Sequence, residues 1–167
     1  VNAGRTVVTN GPLIRPIAND ERPGHVFRVP AGEELEVDVA MNLTTRDPLG
    51  YLDIVHNGRV AASVRLDEWA KTGHFPPLKI KQSGWFLVRV VTQNTDTYRF
   101  ASSAPWYVEI GDTPHVSRRS AQFFLDWVNE RAGMIKLADP DHQAGVQRHW
   151  EMGRQFWQGV LDRATVD

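Results

Sequence analysis

The chain has 167 residues, about one domain's length, and its 19 Lys and Arg against 20 Asp and Glu leave a formal net charge of −1. That balance gives no electrostatic footprint for nucleic acid or an anionic membrane, and the absence of cysteine excludes disulfides, thiolate metal sites and a thiol nucleophile. A hydrophobic share of 41% with 23% charged residues belongs to a globular chain rather than a disordered one, and no apolar run approaches the roughly 20 residues of a membrane-spanning helix.

The first two-thirds reads as strands. Arg5–Thr9 and Leu13–Ile17 flank Asn10-Gly11-Pro12, and His25–Val29 leads into the turn Pro30-Ala31-Gly32. Leu35, Val37, Val39 and Met41 alternate with Glu34, Glu36, Asp38 and Ala40, the period of a strand with one face on a core and one in water. Leu52–Val55 and Val60–Leu66 are joined through His56-Asn57-Gly58-Arg59, where Asn-Gly suits the positive φ angles of a type I′ hairpin. Asp67–Phe75 is turn-rich and carries Trp69. A second hairpin is expected at Gln82-Ser83-Gly84, joining Leu78–Lys81 to Trp85–Val91, and Tyr98–Ala101 and Trp106–Ile110 add two more short strands. Eight or nine short strands with frequent turns predict a mainly β fold, an immunoglobulin-like β-sandwich over residues 1–114.

After Pro114 the period changes. Ala121, Phe124, Leu125, Val128 and Ala132 follow helical spacing, with Ser117 as N-cap and Gly133 as a stop. Asp139-Pro140 opens a second helix whose face carries Val146, Trp150, Gly153, Trp157, Val160, Leu161 and Ala164. Residues 115–167 therefore predict a C-terminal α-helical hairpin, packed on the sandwich. If Trp150, Phe156 and Trp157 stay exposed, the same tail is a candidate surface for a homo-oligomer.

Constellations that carry chemistry are scarce. The six histidines form no His-x-His or His-Glu-x-x-His pattern. His142 and His149 are roughly 10 Å apart by helical rise, a spacing that favours two solvated histidines over half a metal site. No serine sits in a nucleophile elbow and no glycine-rich phosphate loop is present; Ser102 and Ser103 better suit backbone hydrogen bonding. Neither a catalytic residue nor a metal ligand is assigned. By alternation Trp85 joins Leu87, and Trp106 joins Val108 and Ile110, on faces expected to point into the core. Trp69 is the tryptophan left open for stacking on a sugar ring. Arg89 shares the Trp85 face, where an apolar residue is expected, and its guanidinium must be paired with a carboxylate, a carbonyl or a bound anion.

Five stretches in order resemble a known family. Ala3 through Leu13 (Gly4-Arg5-Thr6-Val7-Val8-Thr9-Asn10-Gly11-Pro12 at its centre), Asn19 through Gly24, Leu52 through Gly58, Ser83 through Arg89, and Ala101 through Val108 resemble the C-terminal β-rich region of CehA/McbA-like PHP-type hydrolases, PHP standing for polymerase and histidinol phosphatase. In the second stretch Asp20 stands where the family more often has glycine. The resemblance implies that the metal-dependent catalytic domain would lie upstream of Val1, that any divalent metal belongs to that domain and no cofactor to this chain, and that the chain's partner is that upstream domain. A start at Val1, without methionine or a signal-peptide pattern, fits the same expectation. On this reading Arg5, Thr9 and Asn10 sit at the junction with the catalytic domain, as rim or capping residues, while Trp85, Arg89, Pro105 and Tyr107 are structural. The chain is then a non-catalytic accessory region. The alternative is an independent ligand- or carbohydrate-binding module using Trp69 and Tyr107. Localisation is not readable, because secreted and cytoplasmic proteins alike can lack cysteine.

Overall fold

In the computed structural model, which describes residues 3–167, the chain divides into a β-rich unit ending at Thr113 and a helical unit from Pro114 to Asp167. The β unit contains, among the described residues, eleven strands and one short helix: β1 (Val7–Thr9), β2 (Leu13–Ala18), β3 (Val26–Val29), β4 (Leu35–Val37), β5 (Val39–Thr44), β6 (Leu49–His56), β7 (Arg59–Arg65), α1 (Leu66–Thr72), β8 (Leu78–Ile80), β9 (Gly84–Thr92), β10 (Phe100–Ser103) and β11 (Trp106–Ile110). The protein is mainly β with C-terminal helices.

Strand β9 organises a seven-stranded sheet. One of its edges takes β6, which pairs in turn with β7. The other is shared by two consecutive strands, β11 along Gly84–Phe86 and β10 along Arg89–Val91. Outside these lie β3, parallel to β11, and β1, antiparallel to β10. Two antiparallel pairs stand apart from this sheet, β2 with β5 and β4 with β8. All three sheets feed one core, in which Ile14, Val37, Met41 and Ile80 from the pairs join Leu52, Ile54, Phe86, Val88, Val90 and Trp106 from the large sheet. Burying such side chains stabilises by about 1.5–3 kcal/mol each. Trp106 is fully buried, stacks on Phe86 at 5.2 Å between ring centroids, and its indole N–H donates to the Glu21 carbonyl at 3.0 Å.

Several expectations are borne out. Asn57 and Gly58 have φ of 47° and 81°, as a type I′ turn requires. The alternation through Leu35–Met41 also holds, but the run is two strands, because at Asp38 it changes partner from β8 to β2. The Asn19 amide group secures this break, donating to the Glu36 carbonyl at 2.9 Å and accepting from the Asp38 N–H at 2.8 Å.

Other expectations are corrected. No hairpin joins β8 to β9: the Gln82-Ser83-Gly84 segment leads from a strand paired with β4 to one paired with β6, β10 and β11. Ser83 is held instead by a distant strand, its hydroxyl accepting from the Ile110 N–H at 2.9 Å. The Asp67–Phe75 segment opens as helix α1, whose first turn carries Asp67 and Glu68 and whose C-cap Gly73 has φ 72°. Along β9 the buried face is Gly84, Phe86, Val88, Val90 and Thr92, so Trp85, Leu87 and Arg89 lie on the half-covered outer face. Gly133 lies inside the helix that Ser117 caps rather than ending it.

The helical unit is a hairpin of α2 (Arg118–Met134) and α3 (Pro140–Asp162). Ser117 caps α2 by accepting from the Ser120 N–H, and Asp139 caps α3 by accepting from Asp141 and His142, with Pro140 in the first turn. Ala121 and Leu125 are buried, and Phe124 stacks on Trp157 at 4.6 Å. Gly153 leaves room for Val128. The C-terminal tail returns to the start of α2, where Arg118 donates to the Val166 carbonyl at 2.8 Å. Trp150 and Trp157 are half-buried, whereas Phe123, Met152 and Phe156 are exposed. No helix among the described residues is long and apolar enough to cross a membrane.

Candidate functional site

The polar groups that sequence reasoning placed at a domain junction divide into two sets. Thr9 and Asn10 are committed to the β unit itself. Thr9 ends β1, and its hydroxyl donates to the Pro12 carbonyl and accepts from the Gly11 N–H, which closes the turn into β2. Asn10 extends the β1–β10 ladder with its side chain, donating to the Tyr98 carbonyl at 2.9 Å and accepting from the Phe100 N–H at 2.8 Å.

Arg5 is different. It is exposed just before β1 and lines a cleft of about 330 Å³ together with Arg15 of β2 and Arg22. Val7, Ile14 and Pro16 supply apolar wall, and no carboxylate lines the cleft among the described residues. A second cleft of about 570 Å³ shares Arg5 and Arg22 but also holds Asp20 and Glu21. Two of the charged residues there are paired: Glu21 with His25 at 3.3 Å, and Arg28 with Glu109 at 3.2 Å. Among the described residues, Arg5, Arg15 and Arg22 enter no ion pair. Sequence reasoning missed Arg15 and Arg22. The only local signal was Arg15 between Leu13 and Ile17 on the exposed side of β2.

Arg89 answers the question its position raised. Its guanidinium donates to Asp53 at 2.7 Å from the neighbouring strand β6, and Asp53 also accepts from the Ser63 hydroxyl of β7 at 2.9 Å. The three residues form one row across the sheet, Ser63 opposite Asp53 and Asp53 opposite Arg89. This is the carboxylate-pairing alternative. Next in that row is Ser102, opposite Arg89 on β10. Its neighbour Ser103 is buried and accepts from the Val88 N–H at 3.0 Å, a structural use of the hydroxyl.

The aromatic candidates are dispersed. Trp69 lies on α1 and packs, partly buried, against the core. Trp85 and Tyr107 are directly opposite one another on β9 and β11, on the outer face, with Tyr107 44% exposed. Pro105 interrupts the run between β10 and β11, and its carbonyl accepts from the Gly24 N–H at 2.8 Å. His142 lies in the first turn of α3, and His149 bonds the Gly145 carbonyl at 2.8 Å. Among the described residues no three His, Asp or Glu converge on one point.

Comparison with known proteins adds a structural likeness. No protein-family model and no curated protein matches the chain. Among solved structures, the fibronectin(III)-like modules of CbhA from Clostridium thermocellum align with a TM-score of 0.38 at 13% identity, over 59% of this chain and 97% of that one.

Proposed function

We propose that this chain is a non-catalytic accessory region of a larger metal-dependent hydrolase, its β unit an immunoglobulin-like sandwich that anchors the segment leading from a neighbouring domain. The sandwich reading is supported by the sheets: the β2–β5 and β4–β8 pairs are separate from the seven-stranded sheet, and all three contribute side chains to one core. The observation that carries the accessory role is the Asn10 clasp. Two side-chain hydrogen bonds and the backbone bond from Asn10 N–H to the Phe100 carbonyl at 3.2 Å fasten the residues after Arg5 to the large sheet. A domain joined through that segment is tied to a stiff sheet edge rather than to a free linker.

The divalent metal of the proposed parent enzyme belongs to the neighbouring domain, and this chain contributes no ligand to it. The carbohydrate-binding alternative has less support, since the Trp69 ring is partly buried and packs against the core. The test is direct. Purified chain incubated with Mn²⁺, Zn²⁺ or Mg²⁺ should hydrolyse neither a nitrophenyl phosphate nor an anilide; metal-dependent turnover lost in His142→Ala or His149→Ala overturns the proposal.

A further inference from the structure

The cleft bounded by Arg5, Arg15 and Arg22 has walls that are edges of two different sheets. On one side is β1, the outermost strand of the seven-stranded sheet at that end. The Ala104 N–H donates to the Thr6 carbonyl at 2.8 Å and the Asn10 N–H donates to the Phe100 carbonyl at 3.2 Å. Thr6 and Asn10 therefore turn their backbone groups toward β10, and the alternation of an antiparallel ladder turns the amide and carbonyl of Val7 the other way. Val7 lines the cleft. On the opposite wall is β2, whose only strand partner among the described residues is β5. Pro16 lies in the middle of β2 and has no N–H to offer, which leaves β1 as the edge that can both donate and accept.

Charge and shape are complementary to one kind of occupant. Three guanidiniums without a carboxylate partner among the described residues line a cleft whose remaining wall, Thr6 apart, is apolar, in a chain of net charge −1 where the neighbouring Arg28 is already paired with Glu109. Guanidinium groups bind carboxylates through paired N–H donors. An unpaired strand edge binds extended backbone. The geometry points to a docking groove for an acidic, extended polypeptide segment, which adds as a strand to β1 at Val7, packs apolar side chains against the exposed Val7 and Ile17, and presents carboxylates to Arg5, Arg15 and Arg22. The inference stands on this cleft alone and is independent of the accessory role.

The test uses the whole chain and fluorescein-labelled eight-residue peptides with blocked ends. One alternates valine with glutamate, a second replaces glutamate by glutamine, and a third keeps glutamate but carries N-methyl groups on alternate backbone amides. Fluorescence anisotropy at low salt should show saturable binding of the first. The glutamine and N-methylated peptides should bind at least tenfold more weakly. The Arg15→Gln/Arg22→Gln variant should also lose at least tenfold for the first peptide while melting at the wild-type temperature, since both side chains are exposed. Affinity should fall as added salt shortens the screening length to about 10 Å near 0.1 M. No saturable binding, or equal binding of the glutamate and glutamine peptides, overturns the proposal. Equal binding of the N-methylated peptide overturns the strand-addition part and leaves a site for small anions, which competition by tripolyphosphate would identify.

Discussion

The Asn10 side chain pairs with Phe100 as a backbone residue would: its Oδ1 accepts the Phe100 N–H at 2.8 Å, while the Phe100 carbonyl accepts the Asn10 N–H at 3.2 Å. The Nδ2 group then reaches one residue pair further, to the Tyr98 carbonyl at 2.9 Å. The ladder thus continues past the last residue of β1 just where the chain turns toward β2. Each neutral hydrogen bond nets about 1 kcal/mol, so Asn10→Ala should lower stability by roughly 1–2 kcal/mol. Asn10→Asp keeps the acceptor, loses the donor, and should fall between. Urea unfolding gives the magnitudes, and faster hydrogen exchange confined to the Phe100 amide in Asn10→Ala locates the cause. An unchanged midpoint and exchange rate would remove the clasp from the account.

Arg89 and Asp53 form a pair whose carboxylate is the more covered partner, with side-chain exposures of 40% and 17%. Solvent screens the arginine, so the coupling between the two should be near the upper end of the exposed range, about 1 kcal/mol. A double-mutant cycle of Arg89→Met and Asp53→Asn measures it. A coupling indistinguishable from zero would leave Arg89 without its structural role.

Legibility of the fold followed the amount of information held locally. Asn57-Gly58 defines its turn through the φ angles those two residues accept, and Ser117 and Asp139-Pro140 define helix starts through groups a few residues away. The buried face of β9 was not readable this way. Trp85-Phe86-Leu87-Val88-Arg89-Val90-Val91 is apolar at nearly every position, so period-2 alternation cannot choose a side, and the choice is made by what Phe86 and Val88 meet in the other sheets. The break at Asp38 is invisible for a related reason: alternation continues across it, and only the change of partner marks it. Helix α1 spans seven residues, too short for its period to show in Leu66–Thr72. As for the candidate site, Arg5 was singled out within a motif, but Arg15 and Arg22 join it only because the turns at Asn10-Gly11 and Asn19-Asp20 fold three separated segments around one cleft.

Glu34 provides a pH-dependent contact between the segment before β4 and strand β8. Lys79 donates to its carboxylate at 2.8 Å and Lys81 lies at 3.5 Å. The hydrogen bond from Lys79 holds the Glu34 carboxyl below its ordinary 4.5, and the same bond raises Lys79 above 10.5. A lowered acid contributes stability above its unfolded value, and that contribution is lost as pH falls through the folded one. A raised lysine contributes below 10.5 and loses its share as pH rises through the folded value. Titration of the Glu34 side-chain carbon by NMR should therefore give a midpoint under 4.5 that moves back toward it in Lys79→Met. No movement would place the cause elsewhere.

Trp69 separates the two functional readings. Its ring packs on the core from α1, so Trp69→Ala should destabilise the β unit by about 2 kcal/mol, less than the 3–5 kcal/mol of a fully buried tryptophan. Thermal unfolding checks this. In affinity electrophoresis against a polysaccharide panel, wild type and Trp69→Phe should migrate alike. Retardation of the wild type that Trp69→Phe abolishes at unchanged stability would restore the carbohydrate reading.

Gly84 and Gly58 require glycine for different reasons, and the difference can be measured. Gly58 has φ 81° with open space around it, so Gly58→Ala meets only backbone strain, about 1 kcal/mol. Gly84 is buried, and a methyl group there would collide with the side-chain amide of Asn57. That amide accepts from the Trp85 N–H at 3.0 Å and donates to the Ser83 carbonyl at 3.5 Å, which ties the β6–β7 turn to the start of β9. Gly84→Ala must expel it and strand a half-buried N–H, at a cost of about 2 kcal/mol or more. Asn57→Gly preserves the positive φ of the turn and removes the obstructing amide. In that background Gly84→Ala should cost clearly less than it does in the wild type, a non-additivity expected only of groups in contact. Equal costs in the two backgrounds would mean that Asn57 is not what keeps position 84 a glycine.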